Sequence, residues 1–472
     1  MDVLCLLLGI AFGVFIRFGR GEVIEHLSLH APGWIIFCGS IILANYLAGN
    51  YQLQTTFSRF NMLVGWLFSI VFAVMILGVS SYALFRLLQG RGVLLLAIAG
   101  YSALSLALKL LCYHRLFRSE MFVCRVITVG AGRTAAKVKQ LVEGEFIMPA
   151  HRVVAMLNVI EKAENEPAVI RRLDGTAVVD CGFSDVETLA DYNNFGAELL
   201  VIALDHHEMI HQLYPALRRI RFSGVEIMTA LSVAEAYGGY TPVAELDEEL
   251  VTDLILETKI PFAQRGKRIF DVCCSLAGCI VFTPFMLLTA LVIKLCDWSS
   301  PVFYTQWRAG LLGRPFKIMK FRTMQPGAEE QTGAVWSMDN DPRVTRLGRF
   351  LRRTRLDEFP QLINVLRGDM SMVGPRPERP EIIDTLEKEV PFYNERSNVL
   401  PGLTGWAQIR YPYGNSIDDA RRKLEYDLYY IKHLSLALDC QIILSTLRIM
   451  LFGFESKKRS MSDVPAKAAV TG

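Results

Sequence analysis

Ten cysteines are present without a single Cys-x-x-Cys pair, which removes zinc ribbons and thioredoxin-type redox chemistry. Cys5, Cys38, Cys273, Cys274 and Cys279 stand inside apolar runs, as buried thiols do, so no disulfide framework is expected. Charge is scarce as well. Only 21% of the 472 residues are charged, against 52% apolar, and the mean hydropathy is +0.30. A net charge of +3 is too small to hold nucleic acid. No Tyr-x-x-x-Lys pair occurs, so the proton relay of a nucleotide-sugar dehydratase or epimerase is missing. What remains abundant is apolar sequence in long runs, which places part of the chain in lipid.

Four such runs come first, at 3–16, 34–48, 62–84 and 93–112, separated by Gly-rich or short polar loops. Each approaches the roughly 20 residues of a spanning helix, and together they predict a compact four-helix membrane domain over residues 1–114. The first run lacks a basic flank and a small-x-small cleavage site, and reads as a retained anchor rather than a signal sequence. His114, Arg115, Arg118 and Arg125 follow the fourth run, which favours the cytoplasmic side for that end.

Residues 119–250 differ in pattern. Buried-strand runs at 122–129, 152–160, 198–204 and 225–230 alternate with helical stretches, predicting a parallel α/β, Rossmann-like module. The turn Gly130-Ala131-Gly132-Arg133-Thr134-Ala135 follows the first strand in the manner of a dinucleotide fingerprint. Asn158, not an acid, stands at the end of the second strand, so ribose recognition is not evident. A vestigial or regulatory module is the preferred reading. An acidic connector, 245–257, leads out of it.

A fifth apolar run, Ile269 to Ile293, opens on Lys267-Arg268, carries Asp271 near its start and contains Pro284. A spanning helix with a proline kink is the ordinary reading. If the flanking domains both need cytosolic ligands, the segment must leave on the side it entered. A re-entrant helix over about 266–296, turning at Pro284, meets that demand and leaves Lys267 and Arg268 at headgroup level.

The charged residues gather after position 300. Phe316-Lys317-Ile318-Met319-Lys320-Phe321-Arg322-Thr323-Met324 alternates like a strand projecting Lys320 and Arg322. Arg346, Arg349, Arg352 and Arg353 recur at helical spacing opposite Leu347, Phe350 and Leu351. That basic amphipathic helix suits anionic lipid, substrate phosphates or both. It leads to Asp357-Glu358, with Pro360 two residues on, where the missing N–H should kink the helix. Neighbours on a helix point about 100° apart, so the two acids are expected to divide their work, one toward substrate and one toward a metal. Pro375 and Pro377 fix the chain around Arg376, a guanidinium presented to a diphosphate. Trp406, in Pro401-Gly402-Leu403-Thr404-Gly405-Trp406, reads as a structural anchor. The apolar stretch 433–453, with Asp439 and Arg448, is expected in the interface, and 456–472 as a disordered tail.

These elements, in this order over residues 262–455, resemble the bacterial sugar transferase family, the polyprenyl-phosphate glycosyl-1-phosphate transferases. The preceding four-helix and Rossmann-like parts are similar to its large members. The resemblance implies a membrane-associated, mainly helical catalytic domain with a re-entrant helix. It implies transfer of sugar-1-phosphate from a UDP-sugar, of glucose or galactose type, to undecaprenyl phosphate, releasing UMP. It also implies a covalent phosphosugar on Asp357, Mg²⁺ at Glu358, Arg376 and Arg352 on the phosphates, and a setting in the bacterial inner membrane facing the cytoplasm. By position, Lys267 and Arg268 would meet the lipid phosphate. Downstream glycosyltransferases of exopolysaccharide, capsule or O-antigen assembly are the implied partners, and a homodimer is left open. One departure stands out: Phe282-Thr283 precedes Pro284 where many relatives carry Ser. Two other readings stay open, Asp357 as a general base without a covalent intermediate, and a scaffold of a polysaccharide machine with a decayed site.

Overall fold

The computed structural model describes residues 2–19, 25, 28–47, 50–51, 59–83, 91–111, 123–143, 151–160, 169–173, 176–182, 185–190, 195–204, 210–243, 260–325, 327, 341–411, 414 and 416–452. The connector 245–257, the basic flank His114 to Arg118 and the tail 456–472 lie outside these residues. The chain forms two compact units: residues 1–259 with 424–441, and residues 260–423 with 442–472.

The first unit begins with four apolar helices, α1 (Asp2–Phe18), α2 (Ala31–Leu47), α3 (Arg59–Ala83) and α4 (Arg91–Leu111). They carry apolar side chains outside as well as inside. Leu4, Leu7, Phe12 and Ile16 of α1 are exposed, while Cys5, Leu6, Ile10 and Val14 are buried. Gly9 and Gly13 let α1 and α4 approach backbone to backbone, since a Cβ at either would collide with the main chain of Tyr101 or Ala97. Polar groups turn inward: Asn45 Nδ2 donates to Tyr101 Oη at 2.9 Å, fully buried. Among the described residues, two helical segments are long and apolar enough to cross a membrane, Gly92–Leu111 and Arg265–Cys296. Helices α1 and α2, at 17 residues each, would span only about 26 Å at 1.5 Å per residue, short of the roughly 30 Å hydrocarbon core.

The same unit then forms a six-stranded sheet from β1 (Cys124–Val129), β2 (His151–Val159), β3 (Val169–Leu173), β4 (Thr176–Cys181), β5 (Leu199–Ile202) and β6 (Glu226–Thr229). The order is β3-β4-β2-β1-β5-β6, parallel except for β3 against β4. Helices α5 (Arg133–Val142), α6 (Asp185–Ala190) and α7 (Ile210–Phe222) connect strands, as the alternation predicts. Its apolar core includes the fully buried Ile127, Val129, Leu157 and Leu200. Asn158 donates to Asp180 Oδ1 at 2.8 Å. The module closes with α8 (Ala230–Val233) and a π-helical turn, Ala234–Gly238.

The second unit opens with α9 (Ile260–Cys296), followed by the hairpin β7 (Phe303–Ala309) and β8 (Pro315–Phe321), α10 (Arg346–Thr354), α11 (Gln361–Arg367), β9 (Ser371–Val373), α12 (Pro380–Glu389), β10 (Gly402–Thr404) and α13 (Trp406–Arg410). Two further helices follow, α14 (Ile417–Lys432) and α15 (Leu436–Phe452). The break expected in α9 is absent, because the helix runs without interruption through Pro284. Proline removes one hydrogen bond, from position 284 to the carbonyl of Ile280. Nearby, the Thr283 hydroxyl donates to the Cys279 carbonyl at 2.5 Å. In an apolar setting without water, keeping the rest of the ladder outweighs that one loss.

Candidate active site

Helix α9 is the platform of the site. Arg268 caps the C-terminus of α11, donating to the carbonyls of Val365 (2.6 Å) and Leu366 (2.8 Å). One turn on, Asp271 Oδ1 accepts from the Met372 amide at 3.0 Å. Gly278 faces Leu362, and the Phe282 ring lies 4.4 Å from that of Phe359. Farther along, Met286, Ala290 and Ile293 pack with Phe321 and Leu351. The chemistry-bearing turn is thus fixed to the apolar helix along most of its length.

Helix α10 is capped by Thr345, whose hydroxyl accepts from the Gly348 amide at 2.8 Å. A glycine is required at 348 because any side chain would strike the Thr323 carbonyl. Leu351 is buried, whereas Phe350 is 57% exposed. The helix does not carry on to the two acids. It ends at Thr354 with Arg355 in the left-handed region (φ 58°), and Leu356–Glu358 form a 3₁₀ turn. The α-helix is thus fully broken at Arg355, upstream of Pro360, which has no N–H to give the Leu356 carbonyl and stands as the N-cap of α11.

Both acids on that turn are nine-tenths buried, Asp357 at 8% exposure and Glu358 at 9%. Their surroundings differ. Glu358 Oε1 accepts from Arg376 Nη2 at 2.8 Å and faces Lys320 Nζ at 3.5 Å, while Oε2 lies 3.7 Å from Arg355 Nη1. Burial alone would raise its pKa, but the charges of Arg376, Lys320 and Arg355 and the Arg376 hydrogen bond together outweigh burial. Glu358 is held well below the usual carboxylate range. Asp357 has no such partner. Its Oδ1 is buried with no hydrogen bond, and burial, reinforced by the Glu358 charge, raises its pKa to about 6. Lys320 is lowered to about 8, chiefly by burial, with Arg376 and Arg308 adding to it against the pull of Glu358. One acid is a fixed anion, and the other is a poised, underused carboxylate.

The remaining residues fall in three groups. Arg376 sits between Pro375 and Pro377, with its guanidinium turned to Glu358. The Gly402 amide donates to the Pro375 carbonyl (2.9 Å), and Arg396 Nη2 donates to the Arg376 carbonyl (3.1 Å). A cleft lined by Ala309, Gly310, Arg376, Glu378, Ser397 and Pro401 opens beside it. Arg352 Nε donates to Thr323 Oγ1 at 3.0 Å, and its charge reaches Asp357. Arg322 is drawn elsewhere, to Asp297 at 3.0 Å, and Arg268 serves the α11 carbonyls. Lys267 is buried at 7% exposure. Trp406 is buried under the Arg410 guanidinium at 4.3 Å, consistent with an anchor.

Arg355, Arg396 and Asn364 are the participants that pattern reading did not single out. Arg355 stands three residues before Glu358, a spacing that pairs charges on a helical turn, but in a run of arginines nothing marks it out. Asn364, fully buried, accepts from the Met319 amide (3.0 Å) and donates to the Lys317 carbonyl (2.8 Å), tying α11 to β8. A neutral amide leaves no charge signature in the sequence.

Among the described residues there is no cluster of three or more His, Cys, Asp or Glu that could hold a metal by itself. Glu358 Oε2, 3.7 Å from Arg355, is the less engaged of that residue's oxygens. One such anionic oxygen fits a hard divalent cation that completes its shell with phosphate oxygens and water, the habit of Mg²⁺.

With this geometry in view, similarity to known proteins is informative. Residues 262–453 match the sequence profile of the bacterial sugar transferases. A UDP-N-acetylgalactosamine-undecaprenyl-phosphate N-acetylgalactosaminephosphotransferase of Aeromonas hydrophila is 39% identical over 241 residues, 51% of this chain and 56% of the relative. An undecaprenyl-phosphate glucose phosphotransferase of Komagataeibacter xylinus is 42% identical over 191 residues, 39% of this chain and 36% of the relative. The exopolysaccharide production protein PSS of Rhizobium leguminosarum is 42% identical over 185 residues, 38% of this chain but 92% of the relative. The match thus spans about half or less of the first two relatives and nearly all of the third. From its charged turn to its apolar platform, the chain belongs to the bacterial sugar transferase family.

Proposed function

We propose that the protein transfers sugar-1-phosphate from a UDP-sugar to undecaprenyl phosphate, yielding undecaprenyl-diphosphate-sugar and UMP, as the first step in building a polysaccharide repeat unit. The observation that carries this reading is the asymmetry of the acid pair: a buried Asp357 oxygen without a partner beside a Glu358 clamped by three cations. An Asp357 oxygen attacks the β-phosphorus of the donor. The bond from that phosphorus to the bridging oxygen breaks, and its electron pair leaves with UMP. An oxygen of the lipid phosphate then attacks the same phosphorus and returns Asp357 as a carboxylate. Splitting the transfer lets a water-soluble donor and a membrane-bound acceptor use one site in turn. Arg376, Lys320 and Arg355 set a positive field where two anions must meet, and Arg352 adds to it.

Glu358, with phosphate oxygens of the donor, would hold Mg²⁺, which when bound supplies Lewis-acid neutralisation of the diphosphate. Buried near the start of α9, Lys267 would not meet a headgroup phosphate directly. The rest of the second unit packs on α9 near its start, at Arg268 and Asp271, and near its end, at Ile293. That supports both ends lying on one face of the bilayer, with α9 bent rather than broken at Pro284, so that it would enter and leave on the cytoplasmic side of the inner membrane. Ile269, Ile280, Leu287 and Leu295 supply the exposed apolar surface for that immersion. The sugars named in the relatives divide between glucose and N-acetylgalactosamine, and the donor here is drawn from that range. Later glycosyltransferases of the assembly would consume the product.

The test is UMP release by detergent-purified protein, with Mg²⁺, from a panel of UDP-sugars, with and without undecaprenyl phosphate. Lipid-dependent UMP from one donor is the expected result. Its absence for every donor in folded protein would overturn the reading in favour of a scaffold.

A further inference from the structure

The turn that carries the two acids continues into α11 through hydrogen bonds of the i to i+3 kind: Phe359 N to Leu356 O, Leu362 N to Phe359 O and Ile363 N to Pro360 O. Glu358, Gln361 and Asn364 are spaced by three from this turn into the α-helix α11, where residues three apart are neighbours, and they form one stripe. The first and third members of the stripe both reach β8, Glu358 through Lys320 Nζ at 3.5 Å and Asn364 through the Met319 amide and the Lys317 carbonyl. Gln361 lies between them, one turn beyond Asp357, and is only 3% exposed.

Despite that burial, Gln361 Nε2 donates to nothing. A buried amide donor without an acceptor is costly, and native proteins rarely leave one so. A second orphan, Asp357 Oδ1, is in the same turn. One is a donor and the other an acceptor, yet each is left unmatched, so they are not arranged to satisfy each other. Their common unmet partner is a group that brings both an electrophilic centre and acceptor oxygens. A phosphoryl group does this: its phosphorus meets the carboxylate and a non-bridging oxygen takes the amide N–H.

We propose that Gln361 is a catalytic residue, its side-chain amide donating to a non-bridging oxygen of the phosphoryl group attacked by Asp357 and holding that oxygen in the covalent intermediate. This rests on the two-step reading above. Arg376, Lys320 and Arg355 are engaged with Glu358, and Arg352 with Thr323, whereas the Gln361 amide, one turn beyond Asp357, has no partner to give up. A neutral donor there has a purpose. Another cation beside Asp357 would lower its pKa and blunt the nucleophile, whereas an amide orients the phosphoryl group without that effect.

The experiment uses the full-length protein in detergent and two variants, Gln361→Met and Gln361→Glu. The first readout is lipid-free exchange of labelled UMP into UDP-sugar, which reports formation and reversal of the covalent intermediate alone. The second is thermal unfolding without ligand and with inorganic pyrophosphate. Both variants are expected to slow exchange about 10²-fold, the usual scale for one oxyanion donor. Gln361→Met should unfold no lower than wild type without ligand, since the amide has no partner to lose, and should lose most of the stabilisation by pyrophosphate. Wild-type exchange in Gln361→Met, or a fall of its ligand-free unfolding temperature by many degrees, would overturn the assignment and make Gln361 inert or structural. If wild-type protein itself shows no exchange, the two-step reading fails. The pyrophosphate response still decides whether Gln361 is a phosphoryl donor: its loss in Gln361→Met supports that role and its retention rejects it.

Discussion

The α/β module and the lobe built on α9 both bury apolar side chains, but they differ in how much charge they bury with them. The module buries Ile127, Val129, Leu157 and Leu200 between regular strands and helices. The lobe buries Asp357, Glu358, Asp271 and Asn364, and holds them with two-stranded fragments, a 3₁₀ turn and short helices. Regular sheet with an apolar core optimises stability. Irregular backbone around buried charge gives up stability for reactivity, because each buried acid must be matched by a placed cation or left poised. The contrast teaches where a substitution should register as lost rate and where as lost folding.

The largest separation is expected at Asp357. Asp357→Asn should abolish UMP release, by at least about 10³-fold, because the amide is no nucleophile. It should also make the protein more stable at pH 7. The folded-state pKa of Asp357, about 6, lies above its ordinary value of 3.8, so its stabilising effect is full below 3.8 and lost as pH rises through 6. Removing the ionised form should therefore gain on the order of 2 kcal/mol at neutral pH, vanishing below about pH 4. Thermal unfolding in detergent at both pH values checks this. An inactive variant that is not stabilised would break the comparison.

Next comes Glu358→Gln, expected to lower the rate about 10²-fold and to raise the Mg²⁺ concentration needed for half-maximal activity, since it removes the anion at the centre of three cations. Titration of activity against Mg²⁺ reads both effects. A smaller, graded effect is the pH profile. For the free enzyme, kcat/KM should rise as Asp357 ionises through about 6 and fall as Lys320 loses its proton above about 8. At pH 5 only about a tenth of Asp357 is ionised, so activity should drop roughly tenfold from pH 7. A profile flat from pH 5 to 7 would count against Asp357 as the nucleophile.

The smallest effect on rate should come from the module. Leu200→Ala in the sheet core should cost about 2–5 kcal/mol, seen as a lower unfolding temperature. UMP release per folded molecule should stay within about twofold of wild type. A rate loss as large as the stability loss would erase the contrast between the two regions.

What the sequence made legible follows the same divide. Runs such as Val126-Ile127-Thr128-Val129 and Leu199-Leu200-Val201-Ile202 are long enough and apolar enough to declare buried strands, and the turn at Gly130 places the first βα unit. The hairpin β3–β4 went unread because Arg171 and Arg172 interrupt its apolar pattern at a sheet edge, where one strand has water on one side. In the lobe, the acids and their arginines stand out by charge alone. What charge does not reveal is geometry: Arg322 turned to Asp297, the left-handed turn at Arg355, the helix unbroken at Pro284, and amides such as Asn364 whose work is done by position. Local pattern reports which residues are unusual, and long-range packing decides whom they meet.

The ring of Phe359 against that of Phe282 has a consequence of another kind. It joins the residue after Glu358 to the middle of the apolar helix, so the reactive turn cannot rise or sink independently of that helix. On the proposed reading, the height of Asp357 above the hydrocarbon would be set by that helix, like a gauge fixed to its mounting. A bilayer that thickens or thins around the helix would carry the nucleophile with it, and the ease with which a lipid phosphate reaches Asp357 would follow membrane thickness.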